Sequence, residues 1–518
     1  MGSVSGTPSP LRRVAPHVLG PRLPPLAELW SMNRRRALSA GFSVAAPLIV
    51  GLALGEPGIG SAAALGGFTA VYGHSMPYRR RAGVAAGVGA AVVAAIGLGG
   101  LTGGHPLLLV LTLGAVATAA TAATAVWRIG PPGALPPVLV AGSASALGSA
   151  PDVVGQHVAA AAGAAVLSWA VVMLPWLWDP AGPERRALQA ADAAVRGAEE
   201  GALRTTRPGA IARAVWAAET AVAAGSRRRP SLRPQLTGVE ARFSRALPAI
   251  DATAEDPGPL PPGRPARRRT PLWVTTAART GLGVAAAGLV AVLAGLPSPW
   301  WAATAAVAVL LGTDPRQARA RALHRVTGTL VGTVLAGAVF AVDPPTAATV
   351  GLVGLLLIGV ELFIAHQYVV AVACLTPVSL LLVHLGLPDL PGSALIAARI
   401  EETVVGIAVA LAAGLLLFPR AGSRRLPAAV AGTAEQAVTA ARAAPGSPAD
   451  RALHHALIEL NEVATAARAE LFPTPRADAW RQRSRQVGDL GWALLGARAR
   501  SDGDLADAVA ARVLAELA

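Results

Sequence analysis

Charged side chains inside apolar stretches are where this sequence can do chemistry. Arg399 and Glu402 stand three residues apart near the outer end of an apolar run, so on a helix they share a face and can pair. An ionisable group in hydrocarbon is costly, and each one marks a functional site by default. Two readings are open for this pair. It is either a substrate-carboxylate or proton site on a pathway, or a structural ion pair that lets a helix bury its polar face. Glu401 points elsewhere and is expected near solvent.

Glu361 and His366 flank a turn between two further apolar runs, with Gln367 and Tyr368 beside them. A carboxylate and an imidazole at this place suit a proton relay, because histidine titrates near neutral pH. They equally suit a wetted turn. Trp300 and Trp301 begin another apolar run, either as interfacial belt residues or, with Thr304, as an aromatic wall for a planar ligand. His324 and Arg325 open the next one, where a basic helix N-terminus would draw an anion; topological anchoring is the alternative. The candidate substrate pathway is thus Trp300, Trp301, Thr304, His324, Arg325, Arg399 and Glu402, and the candidate proton relay Glu361 and His366. The sequence has no Walker A motif, no His-Glu-x-x-His and no nucleophile elbow. No catalytic residue, metal site or cofactor is expected, which argues against ATP-driven transport and hydrolysis.

The elements that must position these residues are membrane helices. Of 518 residues, 53% are hydrophobic, 14% charged and 4% aromatic, and the mean hydropathy is +0.50. A soluble chain of this length carries more charge. The apolar residues come in runs of roughly 18 to 25, enough to cross a core of about 30 Å. Six helices are predicted at 37–54, 58–75, 82–101, 106–127, 134–150 and 156–178, and six more at 274–295, 299–312, 323–342, 346–364, 368–386 and 394–418. The two sets repeat one pattern roughly 240 residues apart: an arginine, an apolar run, a Gly/Pro break, a second apolar run, a basic cluster and a glycine-rich third helix. Glycines 83, 87, 89, 328, 332 and 337 are expected to let helices approach closely. The fold class is all-α: a polytopic membrane protein of two parallel six-helix repeats, 12 transmembrane helices, with cytoplasmic helical segments.

The net charge of +15 comes from 45 basic residues, all arginine. They cluster at 34–36, 79–81, 185–279, 316–325 and beyond 420, and are missing from the alternate loops at 56, 102–105, 151–156, 297, 343–345 and 387–393. That alternation is the positive-inside rule, so no nucleic-acid partner is needed to explain it. Five segments follow: 1–33, a disordered cytoplasmic N-terminus without a signal-peptide core; 34–180, the first repeat; 181–270, a cytoplasmic helical segment and basic linker; 271–420, the second repeat; and 421–518, a cytoplasmic helical bundle. Glu184 to Glu200 and Gly209 to Gly225 have helical spacing, while Arg227 to Thr270 reads as a partly extended connector. Ser447-Pro448 reads as a helix start, followed by the stripe Leu453, Leu457, Leu460 and Val463. The single cysteine, Cys374, lies in an apolar run and excludes a disulfide framework.

The stretch Pro299-Trp-Trp-Ala-Ala-Thr-Ala305, then Arg321-Ala-Leu-His-Arg-Val-Thr-Gly-Thr-Leu-Val-Gly332, resembles the fusaric-acid-resistance (FUSC) family. Tyr368 to Pro377 and Arg399-Ile-Glu-Glu-Thr-Val-Val-Gly406 add to the resemblance. The layout resembles that family over nearly the whole chain, though the specific motifs lie in the second half; the first half offers only Glu56-Pro57-Gly58 and its arginine cluster. The resemblance implies export of aromatic acids and related small compounds, an architecture like that of plant malate channels, and a half-chain standing for one subunit of a dimeric relative. The expected function is a secondary efflux permease or channel-like transporter in the bacterial plasma membrane, with both termini cytoplasmic. Its partners are the lipid bilayer and a small anionic or aromatic substrate, and a homo-oligomer is left open. The alternative is a non-transporting envelope scaffold with partner-binding cytoplasmic bundles. A sealed apolar centre between the halves favours the scaffold, and a cavity lined by Trp301, Arg325, Arg399 and Glu402 favours transport.

Overall fold

The computed structural model describes residues 24–199, 208–225, 232–247, 271–311, 315–470, 475–500 and 503–517. Among them all regular structure is helical. The first half holds α1 (Leu26–Ala53), α2 (Pro57–Gly66), α3 (Tyr78–Thr102), α4 (Pro106–Val126), α5 (Leu135–Ala146) and α6 (Pro151–Met173). Three more polar helices follow, α7 (Gly182–Glu199), α8 (Pro208–Gly225) and α9 (Leu232–Ala246). The second half holds α10 (Leu272–Leu293), α11 (Trp300–Leu310), α12 (Pro315–Val342), α13 (Thr346–Phe363), α14 (Tyr368–Gly386) and α15 (Gly392–Leu416). The chain ends in α16 (Leu426–Arg442), α17 (Pro448–Arg468), α18 (Pro475–Arg500) and α19 (Gly503–Leu517). Two compact units result, one of apolar helices and one of polar helices.

In the apolar unit α1, α3, α4, α6, α10, α12, α13 and α14 are long and apolar enough to cross a membrane. α15 has the length, with 25 residues, but carries Arg399, Glu401 and Glu402. The chain is an all-α polytopic membrane protein. Three helices are shorter than the sequence pattern predicts: α2, α5 and α11 have 10, 12 and 11 residues. At 1.5 Å per residue each spans ~15–18 Å, about half of a hydrocarbon core. α2 gives way to a 3-10 turn at Gly67–Val71, and α11 stops at an extended Leu311. Such breaks are tolerated at membrane depth only inside protein. Accordingly every residue of α11 is buried, as are the first ten of α5.

Features of the first half recur about 240 positions later, at one helix end down to single hydrogen bonds. α1 ends where the Glu56 N–H donates to the Gly51 carbonyl (2.8 Å) and the Gly55 N–H to Leu52 (3.1 Å). Shifted by 240 positions, α10 ends where Leu296 donates to Ala291 (3.0 Å) and Gly295 to Val292 (3.0 Å). Gly55 and Gly295 take φ of 75° and 70°, the left-handed conformation this helix ending requires. Contacts between the halves recur with the partners exchanged: α1 packs on α13 and α4 on α10, while α2 packs on α14 and α11 on α5. At the first two contacts the close approach is between glycines. A Cβ on Gly41 would meet the Gly354 carbonyl at 3.0 Å, and one on Gly281 the Gly114 carbonyl at 2.8 Å. Gly281 and Gly354 lie 240 positions beyond Gly41 and Gly114.

The expected packing glycines divide. Gly328 and Gly332 face the Val369 and Ala373 carbonyls of α14, whereas Gly83 and Gly87 have nothing within 4 Å. In the first half Gly99 and Gly103 make that approach instead, against Ala141 and Ser145 of α5.

In the polar unit, α7 and α8 fill the stretches expected to be helical. Helix α9 replaces the middle of the expected extended connector; its Leu232, Leu236, Val239 and Phe243 recur at helical spacing and are buried. The rest of the linker (226–231 and 248–270), and residues 1–23, lie outside the described residues. One core takes side chains from both polar segments, including Leu188, Val215 and Phe243 with Leu453, Leu457 and Trp492. The stripe on α17 is buried as expected. Pro448 starts that helix, but the Ser447 hydroxyl makes no capping bond; Asp450 instead accepts the Gly446 N–H at 2.7 Å.

Candidate functional site

The three bulkiest fully buried side chains among the described residues are Trp301, Arg325 and Arg399. They come from α11, α12 and α15, which pack on one another. Gly406 lets α15 lie against α11, because a Cβ there would press on the Ala302 carbonyl and meet the Ala305 methyl at 2.8 Å.

Trp300 and Trp301 stack with ring centroids 3.6 Å apart at a 30° tilt. The Arg399 guanidinium sits 3.8 Å from the centroid of the Trp301 ring. Two flat groups this close to one ring must take opposite faces, so both faces of Trp301 are covered. Trp300 itself leans on α5, where a Cβ on Gly142 would meet its ring at 2.8 Å. Thr304 is buried and donates to the Trp300 carbonyl at 2.8 Å, within its own helix.

Arg325 does not open a helix. α12 starts at Pro315, so Arg325 lies about three turns inside it. The run Arg-Gln-Ala-Arg-Ala-Arg-Ala-Leu extends the helix through strong helix formers, although its charge ends the apolar signal near residue 323. The N-terminal dipole argument therefore does not apply to His324 and Arg325. Arg325 is 0% exposed, and none of its three guanidinium nitrogens has a hydrogen-bond partner among the described residues. Arg399 is 1% exposed, with Nε and Nη1 unpartnered. Arg325 and Tyr368 both act electrostatically on Arg399. His324 lies near Tyr368, with ring centroids 6.4 Å apart.

Arg399 and Glu402 share the α11-facing side of α15, as their spacing predicts, yet they do different work. The Glu402 Oε1 accepts the Ser298 backbone N–H at 2.7 Å, and the Trp301 N–H adds to it. Glu402 thus caps the start of α11, where unpaired N–H groups favour a carboxylate. Arg399 contributes a through-space attraction, and the other carboxylate oxygen is buried without a partner.

Glu361 forms its ion pair with Arg36 of α1, so the pair joins the two halves beside the Gly41–Gly354 contact. Tyr72, buried and bonded to the Gly133 carbonyl at 2.6 Å, lies within electrostatic reach of Glu361. His366 is half-buried, and its Nδ1 has no partner; no bond to Glu361 is present among the described residues. The basic clusters opening the third helices act alike. Arg81 donates to the His74 carbonyl at 2.6 Å, and Arg321, 240 positions later, to the Val309 carbonyl at 3.2 Å.

The charged cluster itself is not repeated. The matching places of Trp301 and Arg325, 240 positions earlier, hold Ser61 and Ala85; those of Arg399 and Glu402, 241 earlier because α15 starts one residue later in its half than α6, hold Val158 and Ala161. Sequence reasoning missed Ser298, which acts through its backbone and so leaves no side-chain signal. It also took Arg36 only as a topological charge, and passed over Thr329 and Thr403, whose buried hydroxyls have no partner.

Residues 285–413, which hold this cluster and Glu361, match the family described as fusaric acid resistance protein-like. The chain is also 23% identical, over 546 aligned positions, to the "Uncharacterized membrane protein YvaC" of Bacillus subtilis (strain 168), an alignment covering 90% of this chain and 85% of that one. No solved structure matches. The family likeness thus rests on the half of the chain that carries the buried arginines.

Proposed function

We propose that the chain is a secondary transporter, not an enzyme, exporting small anionic compounds, aromatic acids among them, across a bacterial plasma membrane. One observation carries this reading: Arg325 and Arg399 are wholly buried in the membrane unit, and five of their nitrogens lack acceptors among the described residues. Guanidinium groups stay charged at any physiological pH. Burying two of them near each other without acceptors is strongly unfavourable unless an anion completes the site. The likeness of residues 285–413 to fusaric acid resistance proteins agrees with export.

In this reading the halves are parallel repeats related by an axis along the membrane normal, as the exchanged contacts of α1, α4, α10 and α13 suggest. Both termini and the polar unit face the cytoplasm, following the arginine distribution. The substrate enters the charged cluster between α11, α12 and α15. The Arg36–Glu361 pair, at a contact between the halves, is the proposed proton-linked element, replacing the Glu361–His366 relay. The test is growth of a deletion strain against a panel of weak aromatic and aliphatic acids. Acid sensitivity of the deletion strain, relieved by the parental chain but not by Arg325→Gln at equal membrane amounts, is the expected result. Unchanged growth in every acid favours the scaffold reading.

A further inference from the structure

We infer that the buried cluster recognises a single monovalent carboxylate by its charge, and that Trp300 and Trp301 mount Arg399 rather than stack on an aromatic substrate. This rests on the transport reading above and narrows its substrate class.

Trp301 has Arg399 on one face and Trp300 on the other, at 3.8 and 3.6 Å. A planar ligand has no face of Trp301 left to cover. Trp300 is wedged against α5 at Gly142, and both tryptophans are buried at 3% exposure or less. What stays unpartnered among the described residues is polar: all three nitrogens of Arg325, Nε and Nη1 of Arg399, the hydroxyls of Tyr368, Thr329 and Thr403, and one oxygen of Glu402. Apart from that one oxygen these groups can donate, and an oxyanion is what they complement.

The charge count then sets the valence. Two guanidinium groups and the Glu402 carboxylate leave one positive charge. One monovalent anion neutralises it, whereas a divalent anion leaves an uncompensated negative charge in a low-dielectric interior. Glu401 is exposed on another side of α15; its charge reaches Glu402, but water screens it, so it is left out of the buried count. Since Ala85, Val158 and Ala161 occupy the matching places of the first half, the described residues hold one such site.

The purified full chain in liposomes, loaded in turn with benzoate, cyclohexanecarboxylate, benzamide and phthalate, tests this. Benzoate and cyclohexanecarboxylate have similar size and charge but differ in the ring face. Expected are equal rates for these two, no movement of benzamide above protein-free liposomes, and slower movement of phthalate. A benzoate preference of about tenfold, the effect of one good ring contact, overturns the inference. So does benzamide moving as fast as benzoate, or phthalate moving faster. Trp300→Leu separates mount from wall without requiring full activity: it should slow benzoate and cyclohexanecarboxylate by the same factor, and loss of benzoate movement alone overturns the mount. If none of the four compounds moves, the transport reading itself fails.

Discussion

Glu402 of α15 holds the backbone N–H of Ser298 at 2.7 Å, 104 positions away, and so fixes where α11 begins. The bond separates two residues that sequence spacing alone makes a pair. Glu402 positions the helix that carries Trp301, while Arg399 rests on the Trp301 ring.

Glu402→Ala and Arg399→Ala should therefore fail differently. Glu402→Ala removes the buried acceptor of a helix start and should cost about 1–3 kcal/mol, read as lower thermal stability in detergent. Glu402→Gln keeps an acceptor oxygen and should recover most of that loss. Arg399→Ala should fold at least as well as Glu402→Ala and lose anion transport. If the double variant Arg399→Ala/Glu402→Ala is more stable than Glu402→Ala alone and transports normally, the two are a structural pair after all.

Arg36 and Glu361 tie the first half to the second, and the matching places 240 positions away hold Thr276 and Thr121. Removing one partner of a buried pair leaves an uncompensated charge, with a typical cost of ~3–5 kcal/mol. Glu361→Ala should lower the midpoint of thermal unfolding markedly, and Arg36→Met/Glu361→Leu should bring most of it back. Equal loss in the single and double variants would show that packing at this contact, not charge, is what counts.

Much of this fold was legible in the sequence because hydropathy reports burial in lipid or protein. Each of the twelve apolar runs holds a helix, and eight of these helices are long and apolar enough to cross a membrane. The short helices were not legible: α2, α5 and α11 lie in apolar runs long enough to suggest full crossings, and only the packing around them shows where the helix stops. The candidate site was legible as a set of residues, since Trp301, Arg325, Arg399 and Glu402 do converge. Their partners were not. Helical spacing tells which side chains share a face, but not that a backbone N–H at Ser298 would outcompete Arg399 for Glu402. Nor can it link Glu361 to Arg36 across the chain.

Glycine substitutions should sort by what the new methyl meets. Gly281→Ala drives a Cβ onto the Thr118 hydroxyl and the Gly114 carbonyl, parts of a facing helix that cannot rotate away together. Overpacking of this kind costs about 1–3 kcal/mol. Gly83→Ala meets nothing within 4 Å and should be neutral or slightly stabilising. Thermal unfolding of the two variants compares them directly. A Gly83→Ala loss as large as that of Gly281→Ala would contradict this placement of α3.

The proposed topology rests on the arginine distribution and can be tested by labelling. In a Cys374→Ala background, Ser393→Cys should react in intact cells with an impermeant maleimide, since Ser393 is exposed at the start of α15. Ser226→Cys should react only after permeabilisation, because the proposed topology puts its basic segment in the cytoplasm. The opposite pattern would invert the orientation and make the proposed export an import.

His454 should make the polar unit sensitive to acid. It is packed among Phe243, Trp492 and His455. Burial, with the charge of His455 behind it, lowers its pKa from 6.5 to about 4. The folded unit therefore holds this ring neutral where the unfolded chain protonates it. The stabilisation is fully present above pH 6.5 and is lost as pH falls toward 4, a change of at most ~3 kcal/mol. Glu240 and Asp489, whose carboxyls burial pushes up, act with the opposite sign, since their folded forms bind protons more readily. Comparing variants isolates the histidine. His454→Phe should move the acid-unfolding midpoint of the full chain, followed by tryptophan fluorescence, to lower pH while leaving stability at pH 8 nearly unchanged. A midpoint that stays in place would mean that His454 is solvated in the folded chain and that the ring cluster around it is looser than these contacts imply.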